Sequence, residues 1–230
     1  VLQPVREIAK IAHESGAFCH CDAAQMFGKV PINVEDLCVD AASFSAHKVY
    51  GPKGVGALYL SDKLLHNAIN PICYGGGQEK QLRPGTVNVS AITGFACACR
   101  LLVSVSAAEH ESISNLREKC EEMLLTAIEG SSINGRSVPR LPGTISLTLP
   151  NIPADMLVAN LQSVCVSVGS ACNSGVPEPS HVLLAMNMDK EKAESTLRIS
   201  LGRYTTEDEI VIGCSEIITA AKELINKLNA

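Results

Sequence analysis

Apolar and polar residues along the first 60 positions follow two periods in turn, one typical of helices and one typical of strands. Segment 4–15 has apolar residues at helical spacing, begins with a proline and is followed by Gly16, which predicts a helix. Short apolar runs predict three strands, at 17–21, 39–45 and 55–60. Because these strands alternate with helical segments, the predicted fold class is α/β.

A long helical pattern separates this region from the rest of the chain. It runs from Ala91 to Glu129, apolar up to Ala108 and amphipathic beyond it. Strand-like runs follow at 143–149 and 165–168, with a helical run at 154–162 between them. A loop rich in glycine, serine and proline covers 169–180, and two more helices end the chain. We therefore predict two domains, with 1–107 in an α/β domain and 108–230 in a smaller α+β domain.

The composition is typical of a soluble globular protein. With 230 residues, 46% of them hydrophobic, and a net charge of −5, the chain can build a core of ordinary size. It has no block of like charges and no aromatic residues interleaved with basic ones, so we expect neither a nucleic-acid nor a membrane partner. Arg100 interrupts the apolar stretch 91–108, which favours a buried helix over a membrane span.

The chain start and the cysteines indicate the cellular setting. The sequence opens on Val1 without a methionine or a targeting pattern, so we expect a fragment or a trimmed chain of a cytoplasmic protein. Its ten cysteines lie mostly in apolar runs, which predicts core packing in a reducing compartment. No CxxC pair is present, and the CxC pairs at 19/21 and 97/99 lack zinc-finger spacing, so no metal site is expected.

Lys48 is the first residue that indicates chemistry. It lies just past a predicted strand, after Ser45 and His47 and before a Gly-Pro-Lys-Gly turn. A lysine at such a place can be partly desolvated and lose its charge, as a Schiff-base lysine must. The alternative is an ordinary solvated surface lysine.

Asp22, at the end of an earlier predicted strand, favours the first interpretation. Pyridoxal phosphate (PLP) requires a carboxylate against its pyridine nitrogen and a lysine for its aldehyde. Gln25 lies one helical turn further on and can hydrogen-bond the ring hydroxyl, while Ser45 and His47 can hold the phosphate.

Five motifs in order make the chain resemble the NifS/IscS-like cysteine desulfurases, which are class V, fold-type I PLP enzymes and close relatives of the selenocysteine lyases. The motifs are Asp22-Ala-Ala-Gln25, Ser45-Ala-His47-Lys48-Val-Tyr-Gly51-Pro52-Lys-Gly54, Gly75-Gly-Gly-Gln-Glu79 with Arg83-Pro-Gly85-Thr86, Gly169-Ser-Ala-Cys172 and Arg198-Ile-Ser-Leu-Gly-Arg203. The resemblance implies that 1–107 is part of a PLP-binding large domain with a mixed sheet, and that 108–230 carries a catalytic cysteine loop.

The resemblance also implies a role for each matching residue of the large domain. Lys48 would form the internal aldimine, Asp22 would bind the pyridine nitrogen and Gln25 the phenolic oxygen, with Ser45 and His47 on the phosphate. Thr86 would reach the phosphate bound in a neighbouring subunit, which implies a homodimer. Arg-Pro-Gly-Thr is also ordinary turn chemistry, so a plain turn is the alternative for Thr86.

Two residues of the smaller domain complete the implied site. Cys172 would carry the sulfur as a persulfide, in a segment of small polar residues that can expose a thiol. Arg198 would pair with the substrate carboxylate; a surface salt bridge to Glu191 or Glu194 is the alternative. The loop through 177–180 resembles the extended catalytic loop of the NifS/IscS group rather than the shorter one of the SufS group.

The function implied is the conversion of L-cysteine to L-alanine, with the sulfur passed from Cys172 to an acceptor protein such as an iron–sulfur cluster scaffold. The family's N-terminal portion, with a phosphate-binding threonine pair, a ring-stacking histidine and an asparagine, is not in this sequence. Three alternatives stay open: a selenocysteine lyase, a class V aminotransferase that needs no exposed thiol at 169–175, and an inactive scaffold that keeps the fold.

Overall fold

The computed structural model describes residues 1–67, 69–168 and 179–228. The chain divides into two compact units. One is Gln3–Ala107, and the other is Ala108–Ala230 together with Val1–Leu2.

The described residues of the Gln3–Ala107 unit form three strands and four helices. In chain order they are α1 (Val5–Glu14), β1 (His20–Asp22), α2 (Val34–Leu37), β2 (Ala41–Ser45), β3 (Gly56–Leu60), α3 (Asp62–Asn67) and the first part of α4 (Val89–Ala127). Short 3₁₀ helices occupy Ala46–Val49, directly after β2, and Glu79–Gln81. The three strands predicted from the sequence are therefore present, each beginning one to three residues later than its apolar run.

The sheet of this unit is mixed, with strand order β1-β2-β3. β1 and β2 run parallel with Asp22 opposite Ser43, and β2 and β3 run antiparallel with Ser45 opposite Gly56. Because parallel strands end at the same edge of a sheet, the last residues of β1 and β2, Asp22 and Ser45, share that edge.

An apolar cluster fixes the turn that follows β2. Ala46 and Val49, both buried, pack with Phe95, Ala98 and Leu102 of α4. The 3₁₀ turn is therefore attached to the core through two of its four residues, and it presents His47 and Lys48 from a supported backbone.

The second unit is an antiparallel sheet covered by helices. Its elements are the rest of α4, β4 (Ser132–Ile133), β5 (Thr144–Thr148), α5 (Ala154–Ala159), β6 (Ser167–Val168), α6 (His181–Ala185), α7 (Lys190–Glu194), β7 (Thr196–Ser200) and α8 (Glu207–Leu228). The strand order is β4-β5-β7-β6, so β7 lies inside the sheet although it follows β6 in the sequence. Leu147 of β5 and Leu197 of β7 are completely buried in the core, with Leu124 of α4 and Ile217 of α8.

Two expectations from the sequence are wrong. The sequence predicts two helices after residue 180, but the described part of this region has three helices and β7. The prediction that the cysteines pack in the core is also wrong for three of the nine that the structure describes, because Cys73, Cys97 and Cys165 are exposed. Cys73 and Cys165 lie between regular elements, and Cys97 lies on an exposed part of α4. Within the described residues, no single helix has both the length and the apolar composition to cross a membrane.

Candidate active site

Asp22 is the acidic group at the edge shared by β1 and β2. Its Oδ1 accepts a hydrogen bond from the backbone N–H of Ala24 at 3.0 Å, which holds the carboxylate in place. The chain turns away here, and the N–H of Ala23 donates to the carbonyl of Ser43 at 3.0 Å. Among the described residues nothing hydrogen-bonds Oδ2, so half of the carboxylate is available to a ligand.

Ser45 and His47 form a hydrogen-bonded pair at the end of β2, with Ser45 Oγ and His47 Nδ1 2.8 Å apart. The backbone N–H of Gly51 donates to the carbonyl of Ala46 at 2.9 Å and closes the turn between them and β3. A Cβ at position 51 would lie 2.9 Å from that carbonyl oxygen, so the turn requires a glycine.

Lys48 lies in the same turn and is half-buried. Within the described part of the chain, its amine has no hydrogen bond and no ion pair. An amine that no described side chain engages is available to react as a nucleophile.

Gln25 and Thr86 are both exposed residues of the same unit. Gln25 lies in the turns after β1, and its Oε1 accepts a hydrogen bond from Lys29 Nζ at 3.1 Å. Thr86 follows Gly85, whose backbone has φ +103 and whose N–H donates to Gln78 Oε1 at 3.1 Å. The chain bends at Gly85, and Thr86 lies outside any helix or strand.

Arg198 lies in β7 of the second unit. Its Nη2 donates to Ser167 Oγ at 3.1 Å, and no described carboxylate forms a salt bridge with it. Glu194, one of the two acidic partners considered for it, instead pairs with Lys190 at 3.6 Å. Arg203 has a structural contact, since its Nε lies 2.9 Å from both carboxylate oxygens of Glu109.

Cys172 lies outside the described residues, as does the rest of segment 169–178. Two other cysteines, in or beside β1, are poor candidates for a reactive thiol. Burial first, and then the charge of Asp40, raises the pKa of Cys19; burial first, and then the neighbouring Cys19 and Asp22, raises the pKa of Cys21. Thiols with raised pKa values stay protonated at neutral pH and are weak nucleophiles.

Two polar residues at the strand edge, His20 and Ser43, were not predicted from the sequence as site residues. His20 Nε2 and Ser43 Oγ lie 2.7 Å apart, beside Asp22 on the adjoining strands. The period of two in a strand could have found them, because His20 shares a face with Asp22 and Ser43 shares a face with Ser45.

The donor set at this edge fits PLP. The Asp22 carboxylate, which has one oxygen without a hydrogen bond, suits the pyridine nitrogen of PLP, and the Lys48 amine suits its aldehyde. The Ser45 hydroxyl and the His47 imidazole suit its phosphate. The N–H of Ala24 holds the Asp22 carboxylate, and the core contacts of Ala46 and Val49 support the backbone that carries Lys48.

Comparison with known proteins defines the family. The aminotransferase class-V family model matches residues 1–212. The chain therefore belongs to the aminotransferase class-V family. Cysteine desulfurase IscS of Anaeromyxobacter sp. (strain Fw109-5) is 41% identical to it over 228 residues, which cover 99% of this chain and 55% of that relative.

Solved structures show the same fold. The NifS-like protein from Rickettsia africae ESF-5 matches with a TM-score of 0.84 and 36% identity, over 98% of this chain and 58% of that one. A structure described as SspA in complex with cysteine matches with a TM-score of 0.69 and 34% identity, over 89% of this chain and 56% of that one. The α/β fold class and the resemblance to NifS/IscS-like proteins are confirmed. The chain spans about half the length of the curated relatives it matches.

Proposed function

We propose that the protein is a PLP-dependent cysteine desulfurase that converts L-cysteine to L-alanine. The observation that carries the proposal is the shared sheet edge, where Asp22 ends β1 and Lys48 follows β2 in a turn attached to the core. The relatives named cysteine desulfurase, and the SspA structure in complex with cysteine, support the choice of substrate.

The polar residues of this unit divide between them the binding of PLP and the transfer of a proton. Lys48 attaches PLP through its amine and afterwards moves a proton at the substrate Cα. Asp22 keeps the ring nitrogen protonated, Gln25 hydrogen-bonds the ring hydroxyl, and Ser45 with His47 binds the phosphate. When bound, PLP supplies an electron sink for the carbon from which the proton is removed.

Arg198 binds the carboxylate of the substrate, and Cys172 reacts with its sulfur. The guanidinium of Arg198 binds the α-carboxylate, for which its planar fork is well shaped. The thiolate of Cys172 bonds to the substrate sulfur while the carbon–sulfur bond of the substrate breaks, and the electron pair of that bond stays with the carbon skeleton. Protonation of the skeleton gives alanine, and Cys172 is left as a persulfide.

The test uses the full-length protein with PLP and cysteine. We expect alanine in solution and a persulfide on Cys172 by mass spectrometry. Cys172→Ser should lose the persulfide and keep the visible absorbance of bound PLP, whereas Lys48→Ala should lose that absorbance. Full alanine production by Cys172→Ser would show that Cys172 is not the sulfur acceptor. A wild-type protein that makes no alanine and carries no persulfide on Cys172 would favour a class V aminotransferase.

We propose two partners, a second copy of the chain and a protein that accepts the sulfur. Thr86 is exposed in this chain, as a residue that serves a neighbouring subunit must be. Light scattering of the full-length protein should give a dimer, and the persulfide should move to an iron–sulfur cluster scaffold when the two are mixed. A monomer with full activity would contradict the shared site.

A further inference from the structure

Arg198 has a serine on each side of it in the sheet. It is opposite Ser146 of β5 and opposite Ser167 of β6, both in antiparallel register. Directly opposite residues of antiparallel strands project to the same face, so the three side chains share one face. The neighbours of Arg198 in β7, Leu197 and Ile199, are buried on the other face.

The two serines make different contacts. Ser167 Oγ accepts a hydrogen bond from Arg198 Nη2 at 3.1 Å. Ser146 Oγ instead accepts from Asn134 Nδ2 at 3.1 Å, and that amide also donates to Thr148 Oγ1 at 2.9 Å. Only one of the two serines therefore acts on the arginine, although both are in register with it.

A hydroxyl partner, unlike a carboxylate, does not neutralise the charge of an arginine. A carboxylate would neutralise the guanidinium and occupy two of its N–H groups, whereas the oxygen of Ser167 is neutral and accepts from Nη2 alone. The positive charge and the other N–H groups remain for a carboxylate ligand. Since an arginine side chain has many rotamers, holding its plane beforehand lowers the cost of ordering it when the ligand binds.

We infer that Ser167 is a positioning residue for Arg198, and that the two form the pair that receives the α-carboxylate of the amino acid substrate. The inference rests on the proposed function and deepens it. β6 ends at Val168, and segment 169–178 with Cys172 follows directly in the chain. The hydrogen bond thus links the carboxylate-binding arginine to the strand that leads to the sulfur-accepting cysteine.

The test compares Ser167→Ala and Ser167→Thr with Ser146→Ala in the full-length protein loaded with PLP. The first readout is the Kd of L-alanine by titration calorimetry, and the second is the division of the effect between KM and kcat for cysteine. Loss of a single side-chain hydrogen bond corresponds to about a two- to tenfold weaker interaction. We expect Ser167→Ala to raise Kd and KM by about that factor with kcat changed less than about twofold, and Ser167→Thr to restore most of the affinity.

Ser146→Ala is the matched control, because it removes a hydroxyl from the same register position on the other side of Arg198 without touching the guanidinium. In an Arg198→Ala background, Ser167→Ala should have no further effect, since the serine acts through the arginine. An unchanged Kd in Ser167→Ala, an equal rise in Ser146→Ala, or additive effects with Arg198→Ala would overturn the inference.

The two proposals fail in different ways. A wild-type protein that binds L-alanine but makes none from cysteine contradicts the proposed function, and the Ser167 comparison by calorimetry still decides the inference. A wild-type protein loaded with PLP that binds no L-alanine overturns the inference itself.

Discussion

Glu121 of α4 is almost completely buried, and its carboxylate accepts two hydrogen bonds from the guanidinium of Arg140, at 2.7 and 3.2 Å. Arg117 and Arg136 approach the same carboxylate at 3.7 Å. One acidic side chain thus holds three basic ones, and it connects α4 to the segment between β4 and β5.

Removal of this carboxylate should destabilise the second unit strongly. Glu121→Ala leaves the buried guanidinium of Arg140 without its partner, so we expect the free energy of unfolding to fall by about 3–5 kcal/mol. The control is Glu118→Gln, at an exposed carboxylate that pairs with Arg117 at 3.0 Å. That change should cost less than about 1 kcal/mol. Urea denaturation followed by circular dichroism measures both; equal losses would show that burial of the pair is unimportant.

Asp40 should make stability depend on pH in acid. Burial alone would raise the pKa of Asp40, but hydrogen bonds from the backbone N–H of Cys19 at 2.8 Å and from His13 at 2.7 Å outweigh it and lower that pKa below its ordinary value of 3.8. Lys63 acts in the same direction. A lowered pKa in the folded state means that the stabilisation is fully present above the unfolded pKa and is lost as the pH falls through the folded pKa.

The measurement is the free energy of unfolding of the wild type and of Asp40→Asn between pH 5 and pH 2. The wild type should be more stable at pH 5, and the difference should shrink as the pH falls below about 4. Glu223→Gln, at an exposed carboxylate of α8, serves as the control and should differ little from the wild type throughout. A difference for Asp40→Asn that grows toward pH 2 would contradict the sign derived from these contacts.

Gly51 should be required for the turn that presents Lys48. A Cβ at this position would lie 2.9 Å from the Ala46 carbonyl oxygen and 3.1 Å from the Ala46 side chain. Gly51→Ala must therefore displace the turn, which should cost about 1–3 kcal/mol and reduce the visible absorbance of bound PLP. Gly77→Ala is the matched control, because a Cβ there meets nothing within 4 Å. Equal retention of PLP by the two variants would count against the role of this turn.

Leu197 should contribute as much stability as any apolar side chain of the second unit, since it is completely buried at the centre of the sheet. Leu197→Ala leaves a cavity and should cost about 2–5 kcal/mol. Leu184→Ala removes the same atoms from α6, where the side chain is 40% exposed, and should cost much less. Thermal unfolding of the two variants provides the comparison; similar melting temperatures would indicate that the core adapts to the cavity.

The strands of the first unit could be predicted because each is a local apolar run followed by a turn signal. The sheet edge with Asp22 and Lys48 could also be predicted, since it depends only on where those runs end. β7 could not, because its five residues follow a highly charged stretch and are a strand only through pairing with β5 and β6. The contact of Ser167 with Arg198 was missed for the same reason, since a register between residues 31 apart is set by the whole sheet.

The position of β7 has a consequence for how the second unit is made. β7 leaves the ribosome after β5 and β6, yet it lies between these two strands, which do not pair with each other. The sheet therefore cannot grow strand by strand during translation and must wait until residue 200 is free, a non-local step of the kind that slows folding. Arg198 arrives with that strand, so the candidate carboxylate site is completed only after β5 and β6 have both been synthesised.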